Sequence, residues 1–223
     1  IIYLTCCDKT EYDLLDPESA GVWEQYKSGS SGIPGNLVWD IEPENEKLWV
    51  SFLGKGVGVY SNGSWTIYNE SNSGIMNDYI TDLELTPEGD MLMGTADGMC
   101  VRTATGSWLY FQDASVSSME VNAVKYTSSG ETWIGTEGEG FYVDFGAGFY
   151  HYKFGGFENI NAIEEDSDGD VWLGTDNGLM EYNGSILSLV FNSDNGLPDD
   201  EVSALFLDRQ NKLWVGTTGG VTV

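Results

Sequence analysis

A short apolar core, ending in Gly-Thr in four of its five copies, returns along this chain at a nearly constant interval. Leu48-Trp49-Val50-Ser51-Phe52 is followed by Met91-Leu92-Met93-Gly94-Thr95, Thr132-Trp133-Ile134-Gly135-Thr136, Val171-Trp172-Leu173-Gly174-Thr175 and Leu213-Trp214-Val215-Gly216-Thr217. The first residues of these copies are 43, 41, 39 and 42 positions apart. A fixed period of this length means one supersecondary unit repeated, each copy burying its apolar face only against its neighbours.

The surroundings of each core define the unit. A turn such as Pro87-Glu88-Gly89-Asp90 or Asp168-Gly169-Asp170 precedes it, and an alternating run such as Ile80-Thr81-Asp82-Leu83-Glu84-Leu85 precedes the turn. These are the first two strands, A and B, of a hairpin. Beyond the core comes a glycine turn and a third strand, as in Gly178-Leu179-Met180-Glu181-Tyr182, and then Asn62-Gly63 or Asn183-Gly184. Such dipeptides favour a type I′ turn, whose two central residues both need positive φ. A fourth strand, marked by Trp65, Trp108, Phe149 and Ile186, completes the unit. Four short strands per repeat is the plan of a propeller blade, so the chain is expected to be all-β, a five-bladed β-propeller of four-stranded antiparallel blades over residues 21–223.

The two ends of the repeat array match each other. The last copy has three strands and reaches Val223, whereas Gly21-Val22-Trp23-Glu24-Gln25-Tyr26 resembles the fourth strand Gly63-Ser64-Trp65-Thr66-Ile67-Tyr68, with Trp23 one period before Trp65. The N-terminal strand is therefore expected to complete the last blade and close the ring, which removes exposed sheet edges.

Composition narrows the partners. Nine basic against 36 acidic residues give a net charge of −27, which repels nucleic-acid phosphates and anionic lipid headgroups. An acidic surface serves solubility first, and attraction of a cation or a basic partner second. Cys100 falls within a strand and reads as a small core residue. The stretch Ile1-Ile2-Tyr3-Leu4-Thr5-Cys6-Cys7 resembles the tail of a bacterial signal segment with a lipobox, Leu4 standing three positions before Cys7. Residues 1–7 then read as a signal remnant with Cys7 as the lipidation site, and residues 8–20, carrying Asp8, Glu11, Asp13, Asp16 and Glu18, as an acidic tether. This reading places the protein in the cell envelope, touching the membrane only through a lipid anchor. A chance Cys-Cys pair is the alternative.

Asn195-Gly196-Leu197-Pro198-Asp199-Asp200-Glu201-Val202, followed by Asp208 and Lys212-Leu213-Trp214-Val215-Gly216-Thr217, resembles the two-component regulator propeller repeat. Gly32-Ile33-Pro34-Gly35-Asn36 and Gly74-Ile75-Met76-Asn77-Asp78 are weaker versions of its opening. The resemblance implies a periplasmic sensor-type propeller, in a family many of whose members respond to carbohydrates. The chain itself carries no transmembrane, kinase or regulator segment.

Propeller ligands meet the ring where strand A begins, because equivalent positions of all blades converge there. Aligning strand A on Val38, Ile80, Val121, Ile160 and Val202 puts Trp39, Thr81, Asn122, Asn161 and Ser203 at one level. An indole that stacks on sugar C–H faces, beside short polar groups that bond hydroxyls, makes a glycan site. The competing reading is that Trp39 plugs the channel. At the next position Asp40 and Asp82 come from neighbouring blades, and such a pair bonds backbone N–H groups, holds a cation or works as an acid and base. Asp166-Ser167-Asp168-Gly169-Asp170 has calcium-like oxygen spacing without the full loop pattern, so a hairpin turn is expected there. The glycine-flanked Lys55, Asp97, Glu137, Glu139, Asp176 and Asn177 read as turn residues. His151, the single histidine, belongs to an outer strand, which argues against a Ser-His-Asp or Cys-His triad at the axis.

The chain thus reads as a non-catalytic binding module whose partner is a glycan or an envelope protein. A hydrolase or lyase using Asp40 and Asp82, and a structural assembly lipoprotein, are the alternatives.

Overall fold

The computed structural model describes residues 24–110 and 119–223. The expected signal remnant with Cys7, the acidic tether and Trp23 lie outside the described residues. Among the described residues nineteen strands form five antiparallel sheets in which neighbours in sequence are neighbours in space. Blade 1 comprises β1 (Val38–Glu44), β2 (Lys47–Phe52), β3 (Gly56–Ser61) and β4 (Ser64–Tyr68). Blade 2 comprises β5 (Ile80–Leu85), β6 (Met91–Thr95), β7 (Gly98–Arg102) and β8 (Trp108–Tyr110). Blade 3 follows with β9 (Val121–Tyr126), β10 (Thr132–Thr136), β11 (Phe141–Asp144) and β12 (Phe149–Tyr152). In blade 4 these are β13 (Ile160–Glu165), β14 (Val171–Thr175), β15 (Gly178–Tyr182) and β16 (Leu187–Phe191). Blade 5 has β17 (Val202–Leu207), β18 (Leu213–Thr217) and β19 (Gly220–Thr222). The five-bladed, all-β reading of the repeat is correct.

Apolar faces are buried where successive blades meet. Trp49 and Val57 of blade 1 meet Ile80, Met93 and Cys100 of blade 2 in one core. Leu92 and Val101 of blade 2 meet Val121 and Ile134 of blade 3 in the next. Cys100 is fully buried, as its strand position implies. The Gly of the Gly-Thr pair is what lets blades approach. A Cβ on Gly94, Gly135 or Gly174 would lie 2.9 Å from Val121, 2.7 Å from Ile160 or 2.6 Å from Val202, the first strand-A residue of the following blade. The repeated indoles are also tied to the turn before them, since the Nε1–H groups of Trp49, Trp133, Trp172 and Trp214 donate to Glu44, Glu131, Asp166 and Asp208.

Turn chemistry follows the sequence with one exception. Asn62 and Gly63 both have positive φ, as a type I′ turn requires. Asn183 does not; four residues link β15 to β16, the Asn183 carboxamide accepts from the N–H groups of Ser185 and Ile186, and Ile186 stands exposed ahead of the strand.

The expected N-terminal closure is not seen among the described residues. Residues 24–27 form no strand, and among the described residues blade 5 has three strands. Tyr26 packs on blade 1, edge-on to Tyr60 and Trp65 with its hydroxyl bonded to that of Tyr60 at 2.8 Å, and its contact with Trp65 matches that of Tyr68 in β4 with Trp108 of blade 2. Strands β1, β5, β9, β13 and β17 pack in succession, but β17 does not pack along β1 in the same way. Accordingly Val38 is 48% exposed, whereas its counterparts Ile80, Val121, Ile160 and Val202 are buried.

Candidate functional site

The inner strands share one irregularity. In every blade the register slips just after the first residue of strand A, and Thr81, Asn122, Asn161 and Ser203 are the extra residues. In blade 1 the slip lies between Val38 and Ile41 and takes in Trp39 and Asp40. A bulge of this kind frees a side chain from the pleat and re-aims it. Here it turns these side chains toward an open cavity of about 720 Å³ at the ring axis.

All seven residues read from the sequence line that cavity: Trp39, Asp40, Thr81, Asp82, Asn122, Asn161 and Ser203. Trp39 is 60% exposed, so its indole does not pack as a plug. The short polar groups are largely engaged within the ring. The Thr81 hydroxyl donates to the Val121 carbonyl, and the Ser203 hydroxyl leans 3.4 Å from the Gly216 carbonyl. Asn161 donates to Asp176 at 2.8 Å and to the Val202 carbonyl at 3.0 Å.

The paired aspartates are structural ties. Asp40 accepts the Leu83 N–H and Asp82 the Val124 N–H, each from the following blade, at 2.8 and 2.6 Å. Burial, with the Asp40 charge beside it, holds the Asp82 carboxyl well above its usual range. Two positions further along strand A lies a second charged level that the sequence alignment contained and the functional reading passed over. It holds Glu42, Glu84, Lys125, Glu164 and, in blade 5, Phe206. Lys125 bridges Glu164 at 2.8 Å and Glu84 at 3.7 Å. Burial works against the Lys125 charge, but Glu84 and Glu164 outweigh it and hold its pKa above the ordinary value. Burial, with Glu84 and Asp40 nearby, pushes Glu42 up to about 7.

Further lining comes from residues the sequence suggested only as turn formers, or not at all: Glu120, Glu137, Asn159, Asp176 and Glu201. Asn122 donates to Glu137 at 3.1 Å, and Asn159 donates to Asp176 while accepting the Gly138 N–H. The remaining sequence candidates fall elsewhere. Asp166 accepts the Asp168 and Asp170 N–H groups, making the calcium-like stretch a hairpin turn. His151 lies in outer strand β12, stacked on Tyr142 with Nε2 at the Glu139 carbonyl.

Comparison with solved structures places this geometry among propellers. The extracellular domain of BT4673 from B. thetaiotaomicron, described as a one component system, matches with a TM-score of 0.75 at 24% identity, over 88% of this chain and 28% of that one. PorZ, described as an essential bacterial surface component of the type-IX secretion system of Porphyromonas gingivalis, matches at 0.63 and 17% identity, over 81% and 31% of the two chains. Virginiamycin B lyase from Staphylococcus aureus matches at 0.62 and 15%, over 83% and 68%. This chain thus spans less than a third of the first two. No match is found among curated proteins. Residues 155–177 and 196–219, which contain the A and B strands of blades 4 and 5, match the family described as two component regulator propeller. Two of the five repeats, those of blades 4 and 5, thus match the two-component regulator propeller repeat that the Asn195–Val202 motif resembles.

Proposed function

We propose that this chain is a non-catalytic, extracytoplasmic binding module of the sensor type, which takes a carbohydrate ligand in its axial cavity. The observation that carries the reading is the exposed indole of Trp39 at the edge of an open cavity lined by the bulged residues of every blade. A flat aromatic face covers the C–H surface of a sugar, and convergent polar atoms fix its orientation. Asp40 and Asp82 are engaged by backbone N–H groups of neighbouring blades, which leaves them poorly placed for acid and base work. The structural likeness to extracellular domains supports an envelope location, and a lipid anchor at Cys7 is part of the same proposal.

The test is calorimetric titration of an oligosaccharide panel into the protein and its Trp39→Ala variant. Loss of one stacking contact is expected to weaken binding by about tenfold, with an unchanged, cooperative unfolding transition. Equal affinity in the two proteins would remove the axial cavity as the site.

A further inference from the structure

The donor and acceptor inventory of the cavity decides more than its shape does. Its hydrogen-bond donors are mostly spent inside the ring: the Thr81 hydroxyl on the Val121 carbonyl, both N–H groups of Asn161 on Asp176 and Val202, and one each of Asn122 and Asn159 on Glu137 and Asp176. What faces the open space is dominated by acceptors. The lining includes Asp40, Asp82, Glu120, Glu137, Asp176 and Glu201, and among the described residues it contains no Lys, Arg or His. Glu120 and Glu201 are exposed at the rim. Lys125, which neutralises the deeper level, is not part of this lining. These groups are also divided by blade: the exposed Trp39 indole comes from blade 1, Asp40 and Asp82 of blades 1 and 2 are tied to backbone N–H groups, and Glu120, Glu137, Asp176 and Glu201 come from blades 3, 4 and 5.

From this division we infer that the cavity selects glycans bearing free, protonated amino groups, with the sugar face on Trp39 and the ammonium among the carboxylates of blades 3 to 5. This rests on the carbohydrate reading of the site and adds charge selection to it. An ammonium offers three donors and no acceptor, which complements a lining rich in carboxylates and poor in free donors. An N-acetylated sugar replaces that cation with a neutral amide. A uronate adds an anion to a site that already holds unneutralised carboxylates in a chain of net charge −27.

Titration of glucosamine oligomers, N-acetylglucosamine oligomers and galacturonate oligomers of equal length tests the inference, with oligolysine as a non-sugar cation. The glucosamine series is expected to bind about tenfold or more tightly than the N-acetylated series, with affinity falling as salt is added, and galacturonate is expected not to bind. Glu120→Gln and Glu201→Gln remove exposed charges, and together they are expected to weaken glucosamine binding about fivefold and any N-acetylglucosamine binding by clearly less, so that the ratio of the two affinities falls. N-acetylated or uronate oligomers binding as tightly as glucosamine would overturn the charge selection and leave the carbohydrate module standing. Oligolysine binding without any sugar binding would overturn both.

Discussion

The three inner blades and the two end blades are made from the same repeat, yet the structure treats them differently. In blades 2, 3 and 4 the strand-B glycine receives the first strand-A residue of the next blade, and the apolar residues of the first three strands are buried or half-buried, large exposed ones being confined to the outer strand and the connecting segments. At the ends this pattern stops. On blade 1, Val38 and Ile41 are 48% and 44% exposed, and on blade 5, Phe206, Trp214 and Val221 are 62%, 42% and 64% exposed. A Cβ on Gly216 would meet nothing nearer than 3.4 Å, and then only Ala204 of its own blade. Identical local chemistry therefore yields a core residue or a surface residue according to whether a neighbouring blade covers it. Stability in such an array resides in the interfaces between repeats, not within the repeat.

The sharpest way to break that comparison is to truncate equivalent indoles. Trp133 is fully buried, stacked on Phe141 and tilted against Tyr182 at centroid distances of 5.3 and 5.2 Å. Trp133→Ala is expected to lower stability by about 4 kcal/mol. Trp214→Ala removes a half-exposed ring and its bond to Asp208, and is expected to lose about 1 kcal/mol. Equilibrium unfolding in urea reads both, and equal losses would show that the outer face of blade 5 is covered in solution.

A smaller probe addresses the same contrast without deleting contacts. Gly135→Ala places a methyl group 2.7 Å from the Ile160 side chain and 3.0 Å from its carbonyl oxygen, a backbone atom that cannot swing away. About 2 kcal/mol of overpacking is expected. Gly216→Ala at the matching place in blade 5 should change stability by less than about 0.5 kcal/mol. The pair is informative because helix propensity, turn geometry and positive φ play no part at either position.

These contrasts also show which information the sequence held. The blade count was legible because the strand-B core is a local pattern with a strict period, and the level of the candidate site was legible because aligning strand A on five apolar residues places Trp39, Thr81, Asn122, Asn161 and Ser203 together. The bulge that aims them was not, since register is a property of two strands and not of either alone. The fate of the ends was illegible for a related reason. Tyr26 meets Trp65 as Tyr68 meets Trp108 one blade on, yet residues 24–27 form no strand and β17 does not pack along β1 as the other inner strands do, a relation between distant parts of the chain. The charged level of Glu42, Glu84, Lys125 and Glu164 was available in the same alignment two columns further on. It reads as an ordinary polar face until burial shows that a single cation serves several carboxylates.

That charged level supplies the mildest test, and it separates the two sides of blade 1. On one side Val38 and Ile41 are exposed, while on the other Glu42 faces Glu84, Asp40 and Lys125. Burial there raises the Glu42 pKa from its ordinary value of 4.5 to about 7. An acid whose pKa is higher in the folded than in the unfolded chain binds its proton more tightly when folded, so its contribution favours folding at low pH and is lost as the pH rises from about 4.5 to about 7. Asp82 and Glu84, also raised, push in the same direction. Thermal unfolding followed across this window is expected to show stability declining with pH in the wild type and declining less steeply in Glu42→Gln, with the two curves converging toward the acid end. Parallel curves would mean that Glu42 is as solvated as the exposed residues on the other side of its blade, and that the packing of blade 1 on blade 2 is looser than that between the inner blades.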